Sequence, residues 1–249
     1  MHVIRSRIHL ISMALWAVLL VQLFAAINLV PLIPHWPGHD FRLYRDATAN
    51  WLATGEFYPT LQLAGPYPVV SNEILYPPVA LILFAPFTVL PSVFWVIIPT
   101  AFLAWMVYRS KPSPERWAVI LLLMTLPILA PVSWTVELAI DGNPIIWVAV
   151  IVGLATRFPF FGPFALLKPA PLLLPFAAIG IRSRSWWLGL AVLAGLSAVF
   201  LPMWFDFLTV VQNARGLGAI YAVSSVPILL IPLVARRGLE PREPDSSDP

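Results

Sequence analysis

The chain has no cysteine, little charge and no long stretch of soluble-protein composition, and each lack excludes something. Without cysteine there is no disulfide framework, no thiolate nucleophile and no cysteine metal site. Charged residues make up 11% of the 249, whereas soluble domains carry roughly 25%, so the chain cannot cover a water-facing surface. The net charge is +3 and the pI near 9.5, but the basic residues form no patch of the kind that binds nucleic acid. They sit in small groups at the ends of apolar runs, as orientation signals do.

What is abundant is apolar. Hydrophobic residues reach 59% and the mean hydropathy is +0.84. The solvent of most of this chain is therefore lipid. Apolar runs cover residues 8–33, 74–90, 93–108, 117–136, 144–155, 158–181, 186–205 and 217–235. A span needs about 20 residues, which allows roughly six to eight membrane helices. In lipid every backbone polar group needs an internal partner, so these runs are helices rather than strands. The expected fold is all-α, a polytopic transmembrane helical bundle forming one domain over residues 1–237. The polar, Pro-rich tail 238–249 reads as disordered and cytoplasmic. The first run is too long for the apolar region of a signal peptide and reads as a retained span. Proline is frequent, 27 residues, and recurs inside the runs at Pro77, Pro78, Pro86, Pro163, Pro169, Pro171 and Pro175. Broken or re-entrant helices follow, tolerated where they line a cavity or are buried in protein.

Clusters of Lys and Arg favour the cytoplasm. They are Arg5/Arg7, Arg109/Lys111/Arg116, Arg182/Arg184 and Arg236/Arg237/Arg242. With all of them inside, residues 74–108 must cross only once net, and 158–181 must enter and leave on one side. Lys168-Pro169-Ala170-Pro171 is then the apex of a re-entrant hairpin. Both termini are cytoplasmic in the plasma membrane, and the polar loop 34–73 after the first span faces outward. So does the short polar break Glu137, Asp141, Gly142 and Asn143, together with Asp206 and Arg215.

The outward loop holds the candidate chemistry. Residues 40–51 read as an amphipathic helix at the membrane surface, with Asp40, Leu43, Tyr44 and Ala47 on one face. Asp40 has two readings: an N-cap of that helix, or a general base that deprotonates a sugar hydroxyl held within hydrogen-bond reach. Arg42 and Arg45 are either solvated interfacial residues or a phosphate grip, for which the guanidinium fork is suited. His35 and His39 have the spacing of a helical metal pair, but Pro37 and Gly38 between them argue against a helix, so no metal is expected. Trp36, Tyr44, Trp51, Tyr58 and Tyr76 are candidates to stack on sugar rings, the remaining aromatics being interfacial anchors.

Lys168 is the only charged residue in its apolar block. A Lys at membrane depth costs roughly 2.5–3.5 kcal/mol and marks a functional site by default. The alternative is snorkelling to an interface, which the flanking prolines and the central position disfavour. An anionic partner, a lipid phosphate or a loop carboxylate, would account for it. Glu137 and Asp141 are either helpers of the site or an ordinary solvated turn.

Four segments in order, over about residues 38–175, resemble the bacterial glycosyltransferase family 87 of the GT-C superfamily. They are Asp40-Phe-Arg-Leu-Tyr-Arg-Asp-Ala with Gly55-Glu-Phe-Tyr58, then Tyr76-Pro-Pro-Val-Ala-Leu-Ile-Leu-Phe-Ala-Pro86, then Asp141-Gly-Asn143, and Leu167-Lys168-Pro-Ala-Pro-Leu-Leu. Each alone is too short to carry the resemblance. It implies a membrane enzyme that moves a hexose, typically mannose, from a polyprenyl-phosphate donor to a glycan or glycolipid acceptor at the outer face. No cofactor is implied beyond that donor. An α-linked product from a β-linked donor implies inversion with one base, at the position of Asp40. Lys168 matches the position near the donor phosphate, Asn143 the amide of the Gly-Gln/Asn motif, and Arg42 and Arg45 lie where phosphate or sugar contacts would fit. Members of the family carry several more spans after the Lys-Pro segment, so the resemblance is to a short form. Two other classes stay open: a lipid or solute transporter, which the broken helices and Lys168 suggest, and a non-catalytic subunit of a membrane-protein partner.

Overall fold

The computed structural model describes residues 2–32, 38–69, 73–168, 170–216 and 223–239. Its α-helices are α1 (His2–Leu29), α2 (His39–Thr54), α3 (Thr60–Ala64), α4 (Leu81–Phe84), α5 (Val93–Ser110) and α6 (Pro114–Thr125). They continue as α7 (Trp134–Ile140), α8 (Ile145–Arg157), α9 (Leu174–Ala177), α10 (Arg184–Val199), α11 (Leu201–Asn213) and α12 (Val226–Val234). Among the described residues the fold is all-α apart from one two-residue parallel pairing, β1 (Tyr67–Pro68) with β2 (Ala214–Arg215). That pairing ties the loop to the end of α11, with Tyr67 opposite Ala214.

Among the described residues, two helices are long and apolar enough to cross a membrane, Ser6–Leu32 and Val93–Ser110. Up to four crossings result if the bent pairs α7–α8 and α10–α11 each count as one. This is fewer than the apolar runs suggest, and proline is the reason. Pro lacks the N–H that a helix needs and clashes with the preceding turn. Run 74–90 breaks into 3-10 turns around α4, leaving only Pro78–Thr88 helical. At 1.5–2.0 Å per residue that segment spans about 20 Å, short of the ~30 Å hydrocarbon core. By length only α5 can cross in this section. Run 117–136 is likewise not one helix: α6 ends at Thr125, before Pro127, and α7 resumes at Trp134.

A side chain repairs that second break. Leu15, Leu19, Gln22 and Ala26 recur along one stripe of α1 and are buried against α6 and α7. The Gln22 Nε2 donates to the carbonyls of Thr125 (3.0 Å), Pro127 (3.2 Å) and Ala130 (3.2 Å). At this break the helical ladder is interrupted and lipid offers no water in its place; the Pro127 carbonyl also accepts from the Ala130 N–H at 3.1 Å. On the other faces of α1, Leu20, Phe24 and Ile27 are exposed apolar surface suited to lipid.

One core lies between α8 and α12, where Ile145, Ile146, Val148, Ala149 and Val152 meet Ile228 and Leu229; a second gathers Phe41, Tyr44, Tyr76, Phe84 and Trp95 around α2 and α4. Residues 158–181 pack against the first as a hairpin. A 3-10 coil (Pro159–Leu167) forms one leg, Lys168 and Ala170 are extended at the turn, and α9 lies in the return leg. The legs meet at their base. A Cβ on Gly162 would lie 2.6 Å from the Ile179 carbonyl oxygen, and Gly180 abuts Pro159. The chain therefore enters and leaves this segment at the same end, the shape a re-entrant segment requires. After α12, a 3-10 turn (Arg236–Leu239) packs on α5, with Gly238 against the Met106 carbonyl. Of the tail expected from residue 238 onward, all but Gly238 and Leu239 lies outside the described residues.

Candidate functional site

The first turn of α2 docks on the corner between α7 and α8, where the chain bends by 111°. Helix N-termini leave N–H groups without intrahelical partners, and here the corner supplies acceptors. The Gly38 N–H donates to the Ile140 carbonyl (2.8 Å) and the Phe41 N–H to that of Asp141 (3.3 Å). Gly38 itself is the N-cap, in the left-handed region at φ 78°, and no side chain caps this end. The capping role open to Asp40 from sequence is thus not the one it takes. Its carboxylate sits one residue inside the helix and turns toward the corner.

There it accepts from the Asn143 Nδ2 at 2.5 Å. The Asn143 Oδ1 accepts from the Ile145 backbone N–H (3.0 Å) and from the Lys168 Nζ (3.3 Å). The Ile145 N–H can only donate, so it fixes which end of the amide faces it and leaves the NH2 for Asp40. Asp40, Asn143 and Lys168, separated by 103 and 25 residues, form one hydrogen-bonded chain. Each was singled out in the sequence, and a loop carboxylate was one of the partners expected for Lys168; Asn143 as the link between them was not expected.

The corner is held rigidly. Gly142 has φ 66°, and a Cβ there would come within 2.9 Å of the Phe41 Cβ and 3.3 Å of the Trp95 ring. Only glycine permits both the backbone conformation and the close approach of α2. The Trp95 indole, fully buried, donates to the Gly142 carbonyl at 2.6 Å, and the Trp147 indole donates to the Trp95 carbonyl at 3.0 Å. Sequence reasoning missed both tryptophans as site supports. In an apolar chain with 11 Trp, nothing distinguishes an indole that braces a corner from one that anchors in an interface.

Electrostatics follow from burial. Withdrawal from water pushes the Asp40 carboxyl above its ordinary range; the Asn143 hydrogen bond, the Lys168 charge and His39 pull it partly back. Glu137, exposed on α7, is an electrostatic neighbour of Asp40. Lys168 also lines a small crevice whose other walls are Ile145, Ala170, Leu172, Leu173 and Ser225.

The remaining candidates are distributed differently. Tyr44 and Tyr76 are buried, their rings 4.8 Å apart, and Tyr44 stacks on Phe84 at 5.0 Å. The Tyr58 hydroxyl donates to the Tyr76 carbonyl at 2.8 Å, and Trp51 packs on Phe200. The rings of Tyr44, Tyr58 and Tyr76 are buried in protein, so stacking on a sugar is not open to them, whereas Trp51 is only partly covered. Arg45 pairs with the neighbouring Asp46 at 2.8 Å on the partly exposed side of α2, and its guanidinium lies over Phe41. Arg42 is exposed near Gly38. His35 and Trp36 lie outside the described residues.

Comparison of the chain with protein-family models, with curated proteins and with solved structures finds no match.

Proposed function

We propose that the chain is a membrane glycosyltransferase of GT-C type that moves a hexose, mannose by family resemblance, from a polyprenyl-phosphate donor to a glycan or glycolipid acceptor. The observation that carries this reading is the hydrogen-bonded chain Asp40–Asn143–Lys168. It sets a carboxylate and an ammonium at opposite ends of one amide, beside a crevice with mostly apolar walls. Inverting transfer from a lipid phosphate calls for those two charges: a base for the attacking hydroxyl and a cation for the departing phosphate.

In this mechanism Asp40 takes the proton of the acceptor hydroxyl as its oxygen attacks the anomeric carbon. The bond from that carbon to the phosphate oxygen breaks on the opposite face. Lys168 stabilises the negative charge that the polyprenyl phosphate gains. Burial strengthens Asp40 as a base by pushing its carboxyl upward. Asn143 keeps base and cation apart and oriented. Arg42 and Arg45, on the exposed side of α2, are in this reading interfacial contacts for the lipid-linked substrate and surrounding lipids.

The reading carries a topology with it. The loop containing α2 faces outward, both termini are cytoplasmic, and the hairpin 158–181 presents Lys168 from the membrane side. Roughly six to eight passes are counted in this arrangement, re-entrant segments included. The test is incubation of membranes containing the chain with radiolabelled polyprenyl-phosphate sugars. Wild type is expected to label an acceptor, while Asp40→Asn loses about 10²–10⁴-fold and remains folded and inserted. Full turnover by Asp40→Asn would remove the assignment of the base.

A second reading, a lipid or solute carrier, draws on the bends of 111° and 89° in its apolar helix pairs. Proteoliposomes that take up a polyprenyl-phosphate sugar without altering it would favour it.

A further inference from the structure

Tyr76 is 5% exposed, and its hydroxyl has no hydrogen-bond partner among the described residues. Its backbone carbonyl is occupied by the Tyr58 hydroxyl. Its ring is wedged between Tyr44, edge-on at 4.8 Å and 72°, and Phe84, edge-on at 5.5 Å and 78°. The ring cannot turn to find an acceptor elsewhere. A phenylalanine would fill the same aromatic box without burying a polar group, and burying one unpaired opposes folding. The ring therefore explains the packing and leaves the hydroxyl unexplained.

The hydroxyl has Tyr44 and Asp40 as its electrostatic neighbours. Tyr44, against which the Tyr76 ring packs, lies one helical turn after Asp40 on α2, so Tyr76 stands on the carboxylate side of the Asp40–Asn143–Lys168 chain. That position limits what it can bind. An anion would be repelled by Asp40, and Lys168 at the other end is where negative charge is drawn. What fits beside Asp40 is a neutral group that both donates and accepts, as a phenol does. Carbohydrate hydroxyls have that character.

We infer that the Tyr76 hydroxyl is a substrate-binding group of this site, hydrogen-bonded to a neutral hydroxyl of the carbohydrate acceptor held next to Asp40. The inference rests on the glycosyltransferase reading and adds to it a contact on the acceptor side. Tyr76 selects for an acceptor oxygen adjacent to the one that Asp40 deprotonates, and it is the acceptor, not the donor lipid, whose recognition it governs.

The test uses the full chain in nanodiscs with polyprenyl-phosphate mannose and a panel of mannoside acceptors, each lacking one hydroxyl. Wild type and Asp40→Asn establish whether transfer occurs and depends on the base. Tyr76→Phe is expected to lower kcat/KM for the intact acceptor about tenfold and to melt no lower than wild type. One deoxy acceptor should lose about as much with wild type, yet nothing further with Tyr76→Phe, because the two changes remove the same bond. Three outcomes overturn the inference while the reading stands: unchanged kcat/KM in Tyr76→Phe, losses that add for every deoxy acceptor, or a lowered melting temperature, which would reveal a structural partner. Wild type that transfers nothing overturns the reading, and the inference with it.

Discussion

Gln62 and Asn143 are two amide side chains at opposite ends of the polar loop's packing, and they are employed in different ways. Gln62 is 3% exposed. Its oxygen accepts from the Ile74 N–H (3.0 Å), and its nitrogen donates to the Tyr67 hydroxyl (3.0 Å) and the Ile74 carbonyl (3.4 Å). The Tyr67 hydroxyl in turn donates to the Val210 carbonyl at 2.9 Å. Every strand of that network ends on backbone. Asn143 has one bond to backbone and spends the rest between the charged side chains of Asp40 and Lys168. An amide that ends on backbone fixes the path of the chain. An amide set between opposite charges fixes the distance between reactive groups, and charges kept out of water are not retained for stability alone.

This contrast can be broken by substitution. The largest effect is expected from Asn143→Ala, which frees Asp40 and Lys168 from their common spacer and should cut transfer about 100-fold. Gln62→Leu should leave transfer per folded molecule unchanged. A radiolabel transfer assay normalised to folded protein decides it, and equal losses in both variants would dissolve the distinction. Next in size, Gln62→Leu leaves the Ile74 N–H and the Tyr67 hydroxyl without partners and should cost about 2–3 kcal/mol of stability. A thermal melt in detergent reads this, and a wild-type melt would mean the network is not structural. Gly142→Ala, forced into a left-handed backbone against Phe41, should cost about 1–3 kcal/mol and lower transfer as well, since it lifts α2 off the corner.

The smallest effect is on pH dependence. Asp40 works as a base only when ionised, and burial raises its folded value. The acid limb of the rate profile should therefore lie above the ordinary Asp range, with activity rising as pH rises through it. Removing the Asn143 hydrogen bond, which lowers that value, should move the limb higher still. The sign for stability is opposite. A raised carboxyl favours the folded state below its unfolded value, and that contribution is lost as pH rises through the folded value. At neutral pH Asp40→Asn should consequently melt no lower than wild type. A limb at the ordinary Asp position in both variants would show that the carboxylate is not buried during turnover.

The sequence made Asp40, Asn143 and Lys168 visible for one reason: polar residues are conspicuous in an apolar chain. It offered a loop carboxylate as one partner for Lys168 but not Asn143 as the link, because contacts across 103 and 25 residues depend on the α7–α8 corner and the hairpin. Residues 40–51 were legible as a helix, and its buried line of Phe41, Tyr44 and Thr48 runs next to the predicted face. Gln62 was not legible, being an unremarkable residue in a polar loop until Tyr67 and Ile74 close around it. Nor was the number of continuous spans. Hydropathy records where lipid is tolerated, but Pro127 and the prolines of 74–90 decide where a helix stops. Tyr76 was read by its ring, and burial of that ring transferred the interest to its hydroxyl.

The contact between Gln22 and the three carbonyls beyond α6 has a consequence for how α1 sits. A span that is apolar on every side has no preferred rotation in lipid, and any uniform hydrophobic anchor could replace it. Gln22 keys α1 like a shaft: turning the helix by one residue, about 100°, would swing the amide into hydrocarbon and take its donor from all three carbonyls at once. A poly-leucine first span should still insert, but one restored with glutamine at position 22 should recover the assembled fold, and one with glutamine at position 23 should not.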